Sequence, residues 1–283
     1  MRFVLTSDAN EFAARTERLL AAHIECNVLA TVLINVRDAR SAATFAYGIA
    51  DGDEVLFAAL RTAPHPLIAS PLEADAGAFV ELWLKSDPEL DRVTSVPPTA
   101  QAIASAWEEQ TGGAARSTMS EAMHVLEGVD DPPRPAPGEL RVADAADRPL
   151  LIEWMRDFAA EAGVAGSAQA AAMVDGRMRR AGLLVWQDTQ PVSMVGVTPE
   201  VAGVVRVGPV YTPPALRRRG YAGSAVAAAS RRALERGARQ CMLYTDLDNP
   251  TSNKIYAEVG YRRVGDWEEI ALERRRTLTK KPA

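Results

Sequence analysis

The sequence predicts a mixed α/β (α+β) protein of two domains on one plan, each a mixed β-sheet flanked by helices. Three observations carry this. Strand-like and helix-like stretches alternate along the whole chain. A proline-dense break at residues 130–138, Asp-Asp-Pro-Pro-Arg-Pro-Ala-Pro-Gly, divides the chain near its middle. The order and lengths of the elements before that break can be laid over those that follow it.

In the first half, residues 2–5 read as a strand and 9–24 as a helix, and the apolar run 27–35 fits a strand or a helix. Residues 44–48 and 54–61 form a hairpin around Asp51-Gly52, and 66–70 adds a short strand. Residues 77–85 supply a central helix, 92–96 a strand, 99–110 a helix, and the weak alternation of 116–127 a closing hairpin. The expected boundaries are a first domain over 1–128, a linker over 129–138 and a second domain over 139–283.

After the linker, 139–143 is a strand, and Asp144 is a plausible N-cap for a helix running to Ala162. A second helix follows at 167–180, then strands at 183–187 and 192–198 around the turn Asp188-Thr189-Gln190. The β-run 204–211 breaks at Pro213-Pro214 and is followed by Arg217-Arg218-Arg219-Gly220-Tyr221-Ala222 and an alanine-rich helix over 223–236. The strand 240–245 leads to Asn249-Pro250-Thr251-Ser252-Asn253 and a short helix carrying Tyr256.

The arginine-glycine turn has the chemistry of an anion site. A helix N-terminus presents unpaired N–H groups and a partial positive charge. Gly220 permits close backbone approach, Ala222 and Gly223 leave no side chain in the way, and the arginines add charge. The pyrophosphate of a nucleotide-like cofactor is the natural guest, although neither a Walker nor a Rossmann spacing is present.

Strand, basic glycine turn, helix, strand, asparagine, helical tyrosine: residues 204–261 resemble the GNAT superfamily of acyl-CoA-dependent N-acyltransferases. The resemblance implies two GNAT-like domains with splayed sheets and acetyl-CoA as co-substrate. It implies that main-chain groups of Val210, Tyr211 and Thr212 pair with the pantetheine arm, with the Val210 N–H as oxyanion donor. It also implies that N–H groups from Arg218 to Ser224 (Arg218, Arg219, Gly220, Tyr221, Ala222, Gly223, Ser224) bind the pyrophosphate. Arg217 matches the family's Gln/Arg position, and the Ser224 hydroxyl could add a contact. Gly208-Pro209 is compatible with a bulge before the splay. Tyr256, seven residues after Asn249, falls where the family places its general acid. Asn249, Ser252 and Asn253 are suited to contact the pantetheine or to orient Tyr256. No general base is assignable; Glu200 and Asp246 are the candidates within reach. Trp154, Phe158 and Trp186 could wall an apolar substrate site, with core packing as the default.

The first half lacks this chemistry. The loop Ser70-Pro71-Leu72-Glu73-Ala74-Asp75-Ala76-Gly77 carries two carboxylates, which would repel a pyrophosphate, and Ala104-Ser105-Ala106-Trp107 replaces the tyrosine. It reads as a degenerate copy, or as an unrelated α/β domain, serving as lid, substrate wall or stabiliser.

Composition bounds the function. At 283 residues, 47% hydrophobic and 24% charged, the chain can build real cores, and a net charge of −5 argues against a nucleic-acid partner. Lysine occurs only at Lys85, Lys254, Lys280 and Lys281, and the basic tail over 274–281 reads as a solvated end. Cys26 and Cys241 fit reduced, strand-borne core residues; His23, His65 and His124 lack metal-ligand spacing. No signal or membrane-length segment stands out, so a cytoplasmic protein without a membrane partner is expected. The expected reaction is acetyl transfer from acetyl-CoA to a primary amine of a small molecule or a protein; the alternative is an acetyl-CoA sensor without turnover.

Overall fold

The computed structural model describes residues 1–73, 75–162 and 169–274. In chain order the elements are β1 (Arg2–Thr6), α1 (Ala9–Ala22), α2 (Asn27–Ala39), β2 (Thr44–Ile49), β3 (Val55–Arg61), β4 (Leu67–Ala69), α3 (Ala76–Ser86), β5 (Arg92–Ser95), α4 (Pro97–Thr111) and β6 (Ala114–Leu126). The second half contributes β7 (Glu139–Val142), α5 (Arg148–Glu161), α6 (Ala170–Arg179), β8 (Leu183–Gln187), β9 (Pro191–Val197), β10 (Val204–Tyr211), α7 (Tyr221–Glu235), β11 (Gln240–Asp246), α8 (Pro250–Val259) and β12 (Arg262–Glu273).

Two compact units result, and their boundary is not the proline-rich break. One unit is Met1–Glu121 together with the chain from Gly265 onward; the other is Ala122–Val264. The cause is strand pairing. From Glu268 to Ala271, β12 runs antiparallel to β5, from Glu268↔Ser95 to Ala271↔Arg92. The strand order of the first unit is β1-β2-β3-β4-β5-β12-β6, so the stretch expected as a closing hairpin is a single long strand, β6, completed by the far end of the chain. The strand character of 262–273 was missed, since the charges at Arg262, Arg263, Asp266, Glu268, Glu269 and Glu273 hide its alternation.

The first unit buries Phe57, Phe79, Trp83, Ile103 and Trp107 between sheet and helices, with Phe57 and Phe79 edge to face at 4.8 Å. The open choice at 27–35 resolves as a helix, because Leu29, Ala30, Leu33 and Val36 fall on one buried face at helical spacing. Cys26 is buried in a single 3-10 turn rather than on a strand, and burial pushes its thiol up to about 12.

The second unit has the order β6-β11-β10-β9-β8-β7. Both faces of this sheet are covered, which explains its near-continuous apolar strands. Leu151, Trp154 and Met155 of α5 pack with Val185, Met194 and Tyr211 on one face; Tyr221, Ala225 and Ala229 of α7 pack with Val205, Val207 and Leu243 on the other. Trp154 and Trp186 are both core residues. Helix α5 begins at Arg148 rather than after Asp144, because Pro149 suits the first turn and Asp147 is the residue before it. The start of the expected helix at 167–180 falls partly outside the described residues, and α6 begins at Ala170. No helix among the described residues is long and apolar enough to cross a membrane.

Candidate active site

The site grows from a strand pair that parts. Strands β10 and β11 run parallel and pair through Val204↔Gln240, Val205↔Cys241 and Arg206↔Met242, after which β10 continues to Tyr211 and β11 to Asp246 without further pairing. On its other edge β10 stays with β9, but Val207 faces Val197 and Val210 faces Val195, so three steps on β10 oppose two on β9. That extra residue is the bulge expected at Gly208-Pro209, where proline withdraws an N–H from the ladder and Gly208 sits at φ 141°. The bulge falls just where pairing with β11 has ended, so beyond Arg206 and Met242 the two strands run on with an unpaired gap between them.

At the head of the gap lies an anion nest. Arg218 has φ 63° and Gly220 φ 84°, the alternation that points successive N–H groups into one concavity. The N–H groups of Arg218, Arg219, Gly220, Tyr221, Ala222 and Gly223 donate to no acceptor among the described residues. The next one, of Ser224, closes the first helical bond to the Gly220 carbonyl at 3.0 Å. Six consecutive free donors at the start of a helix with Gly220 as its N-cap fit a pyrophosphate by chemistry and by geometry.

Several side chains differ in role from the sequence expectation. Arg217 does not face the nest: its Nε donates to the Thr212 carbonyl at 2.8 Å, Nη2 pairs with Glu161 at 2.6 Å, and its guanidinium lies 5.6 Å from the Tyr211 ring centre. It braces the end of β10 against α5. The Ser224 hydroxyl is also spent, accepting the Ala136 N–H at 2.9 Å in a buried position. The carbonyls of Tyr211 and Thr212 already have partners, Ser193 Oγ at 3.0 Å and Arg217, while Val210 is paired in register with Val195 of β9. Tyr221 contributes its N–H, while its hydroxyl is anchored on Asp188 at 2.8 Å, a bond that raises its pKa. Glu161 and Asp157, which donates no proton but accepts the Tyr211 hydroxyl at 3.3 Å, were missed. Their four-residue spacing on a helix puts both on one face, the only signal available for them.

Helix α8 carries the remaining candidates. Asn249 is its N-cap, with the side-chain oxygen accepting the Ser252 N–H at 3.0 Å, and Asn253 Nδ2 donates to the Asp246 carbonyl at 3.2 Å. These residues hold the helix to the end of β11 rather than orienting Tyr256. A β-carbon on Gly223 would stand 3.8 Å from Ile255, so α8 sits beside the first turn of α7. Tyr256 and Val210 flank the same core cluster. The half-buried Tyr256 ring meets Tyr261 edge to face at 6.1 Å, and its hydroxyl has no partner among the described residues. Loss of solvent pushes this phenol up to about 12, which keeps it protonated. Neither proposed base is a convincing one: Asp246 accepts the Asp248 N–H and Glu200 the Gly203 N–H, the ordinary work of turn carboxylates.

Comparison with known proteins agrees with this geometry. Residues 148–261 match the acetyltransferase (GNAT) family. The second unit carries a GNAT-family domain. Its fold resembles a GCN5-related N-acetyltransferase from Sphaerobacter thermophilus at TM-score 0.60 and 18% identity, covering 96% of each chain. A Drosophila protein aligns at TM-score 0.66 and 15% identity over 96% of this chain and 99% of that one. A tandem GNAT protein from the clavulanic acid biosynthesis pathway aligns at 0.58 and 13% identity over 96% and 98%. No curated protein matches.

The first unit has the GNAT-like plan with its parallel pair tied by a side chain. Strands β4 and β5 are the parallel pair, joined at Leu67↔Val93 and Ile68↔Thr94. Where β10 and β11 part, here Ser95 Oγ donates to the Ala69 carbonyl at 2.8 Å, and the Leu72 N–H donates to Thr99 Oγ1 at 2.8 Å. The Ser95 bond ties β5 to β4 one step beyond their last registered pair, and the Leu72 bond ties the following loop to α4. Asp75, at the N-terminus of α3, brings a carboxylate to the end that favours an anion.

Proposed function

We propose that the second unit transfers an acetyl group from acetyl-CoA to a primary amine of a small molecule or a protein by direct attack. The observation that carries this reading is the parted β10–β11 pair ending beside six free N–H donors. The nest binds the pyrophosphate, and the gap accepts the pantetheine arm along the main chain of Val210. Membership of the acetyltransferase family supports acyl transfer as the chemistry.

Within this reading the residues divide the work as follows. The bulge at Gly208-Pro209 aims the Val210 N–H at the thioester oxygen, where negative charge develops during attack. The phenol of Tyr256, kept neutral by burial, gives its proton to the departing sulfur, and the proton shed by the acylated amine, carried through solvent, restores it. Arg217 and Glu161 keep the end of β10 in place without touching the donor. The first unit, with β4 and β5 tied by the Ser95 hydroxyl, binds no nucleotide.

The test is release of free CoA thiol from acetyl-CoA over a panel of primary amines. Turnover with any amine, lost when the amine is omitted, supports the enzyme. Tight acetyl-CoA binding with no turnover across the panel would favour a sensor instead.

A further inference from the structure

The proline-rich segment is not a free linker. The Asp130 N–H donates to the Val259 carbonyl at 3.0 Å, and Asp131 pairs with Arg231 at 2.7 Å. The Ala136 N–H donates to Ser224 Oγ at 2.9 Å, and the Pro137 carbonyl accepts Trp186 Nε1 at 2.9 Å. Between these anchors, the carbonyl oxygen of Arg134 lies against the bare side of Gly220; a β-carbon there would stand 2.6 Å from it. Prolines at 132, 133, 135 and 137 fix φ and remove N–H donors, so the segment holds its course without a sheet. It runs across the first turn of α7, next to the nest.

This seating decides where the Arg134 side chain can act. Its backbone is pinned beside Gly220, while the side chain is exposed and has no hydrogen-bond or ionic partner among the described residues. A β-carbon direction diverges from the N–H direction of the same residue, so Arg134 arrives beside the nest rather than inside it. Two carboxylates of this region are committed, Asp131 to Arg231 and Asp188 to the Tyr221 hydroxyl. With its main chain against Gly220, a long, unpaired arginine side chain has the reach to meet a phosphate group bound beside the nest.

We propose that Arg134 is a donor-binding residue that contacts the 3′-phosphate of CoA while the nest holds the pyrophosphate. The proposal rests on the acetyl-CoA reading and adds a selectivity to it: the chain distinguishes CoA from its dephosphorylated form through a residue outside the arginine-glycine turn. The experiment is titration calorimetry of the full chain with acetyl-CoA and with acetyl-dephospho-CoA, for the parent, Arg134→Gln and Arg134→Lys. The parent should favour acetyl-CoA by about tenfold, and Arg134→Gln should bring the two ligands within about twofold by weakening acetyl-CoA alone. Arg134→Lys should keep part of the preference, and melting temperatures should match, since the side chain supports nothing in the fold.

An unchanged preference in Arg134→Gln, a parent with no preference, or an equal loss for both ligands would each overturn the assignment while leaving acetyl-CoA binding intact. A parent that binds neither ligand would overturn the cofactor reading itself, and this proposal with it.

Discussion

Asp75 and Gly220 occupy the same position in the two halves: each is the left-handed residue, at φ 64° and 84°, from which a central helix starts. The backbone turn is shared and the chemistry is not. Glycine adopts this φ freely, and its bare side admits the Arg134 carbonyl. Aspartate accepts some backbone strain and delivers a carboxylate to a helix N-terminus, which suits the helix and repels a phosphate.

Charge is nevertheless not the whole difference. The Ser95 hydroxyl, donating to the Ala69 carbonyl, ties β5 to β4, and the Leu72 N–H, donating to Thr99 Oγ1, ties the loop after β4 to α4. Asp75→Gly alone is therefore expected to create no second binding site. Calorimetric titration with acetyl-CoA should give one site per chain for both parent and variant; a second site in the variant would show that charge alone silences the first unit.

Gly220 and Arg217 should separate sharply on substitution, though both lie in the motif. Gly220→Ala forces a β-carbon into the Arg134 carbonyl and a non-glycine residue into φ 84°. About 1–2 kcal/mol of strain is expected, with a lowered melting temperature and weaker acetyl-CoA binding. Arg217→Ala removes a charge already matched by Glu161 in an exposed pair, so affinity should change by less than about threefold. A tenfold or larger loss in Arg217→Ala would return Arg217 to the phosphate.

Much of this was legible because it depends on local chemistry. The strand 204–211, the turn at Gly220 and the bulge at Gly208-Pro209 all follow from residue types whose backbone preferences are strong. What could not be read depends on pairing across long sequence separations. Nothing near residue 270 reveals that β12 lies beside β5, some 175 residues earlier, nor does a run of prolines reveal that Ala136 meets Ser224. The same limit hid Glu161: its carboxylate becomes informative only once α5 is laid along β10 and takes Arg217 away from the nest.

Acid should loosen the base of α5. Asp147 is 6% exposed, accepts Arg141 Nη2 at 2.8 Å and accepts the Asp144 N–H at 2.8 Å. The Arg141 hydrogen bond, followed by the Asp144 N–H and the Arg141 charge, holds this carboxyl below its usual range against the opposing effect of burial. A folded-state pKa below the unfolded one gives stability that is present in full above about pH 4 and is lost as pH falls through the folded value. Asp147→Asn should cost about 1–2 kcal/mol at neutral pH, with the gap to the parent shrinking in acid. Urea denaturation at a series of pH values would reveal a pH-independent gap if the carboxylate's charge were irrelevant.

Tyr256 is the sharpest test of the chemistry, because its ring and its hydroxyl can be separated. The ring packs on Tyr261 and the hydroxyl has no protein partner among the described residues, so Tyr256→Phe should fold and melt like the parent. If the phenol supplies the proton to the leaving sulfur, turnover should fall by about a hundred- to ten-thousandfold while acetyl-CoA affinity stays within about threefold. The pH profile adds a second readout. Burial raises this phenol to about 12, so its acid form persists through the working range and is lost only as pH rises through that value. The parent's turnover should therefore show no descending limb from this group near pH 10, the value of an ordinary tyrosine. A variant that keeps turnover within about twofold would reduce Tyr256 to packing and leave the leaving thiolate to be protonated by water or by the attacking amine.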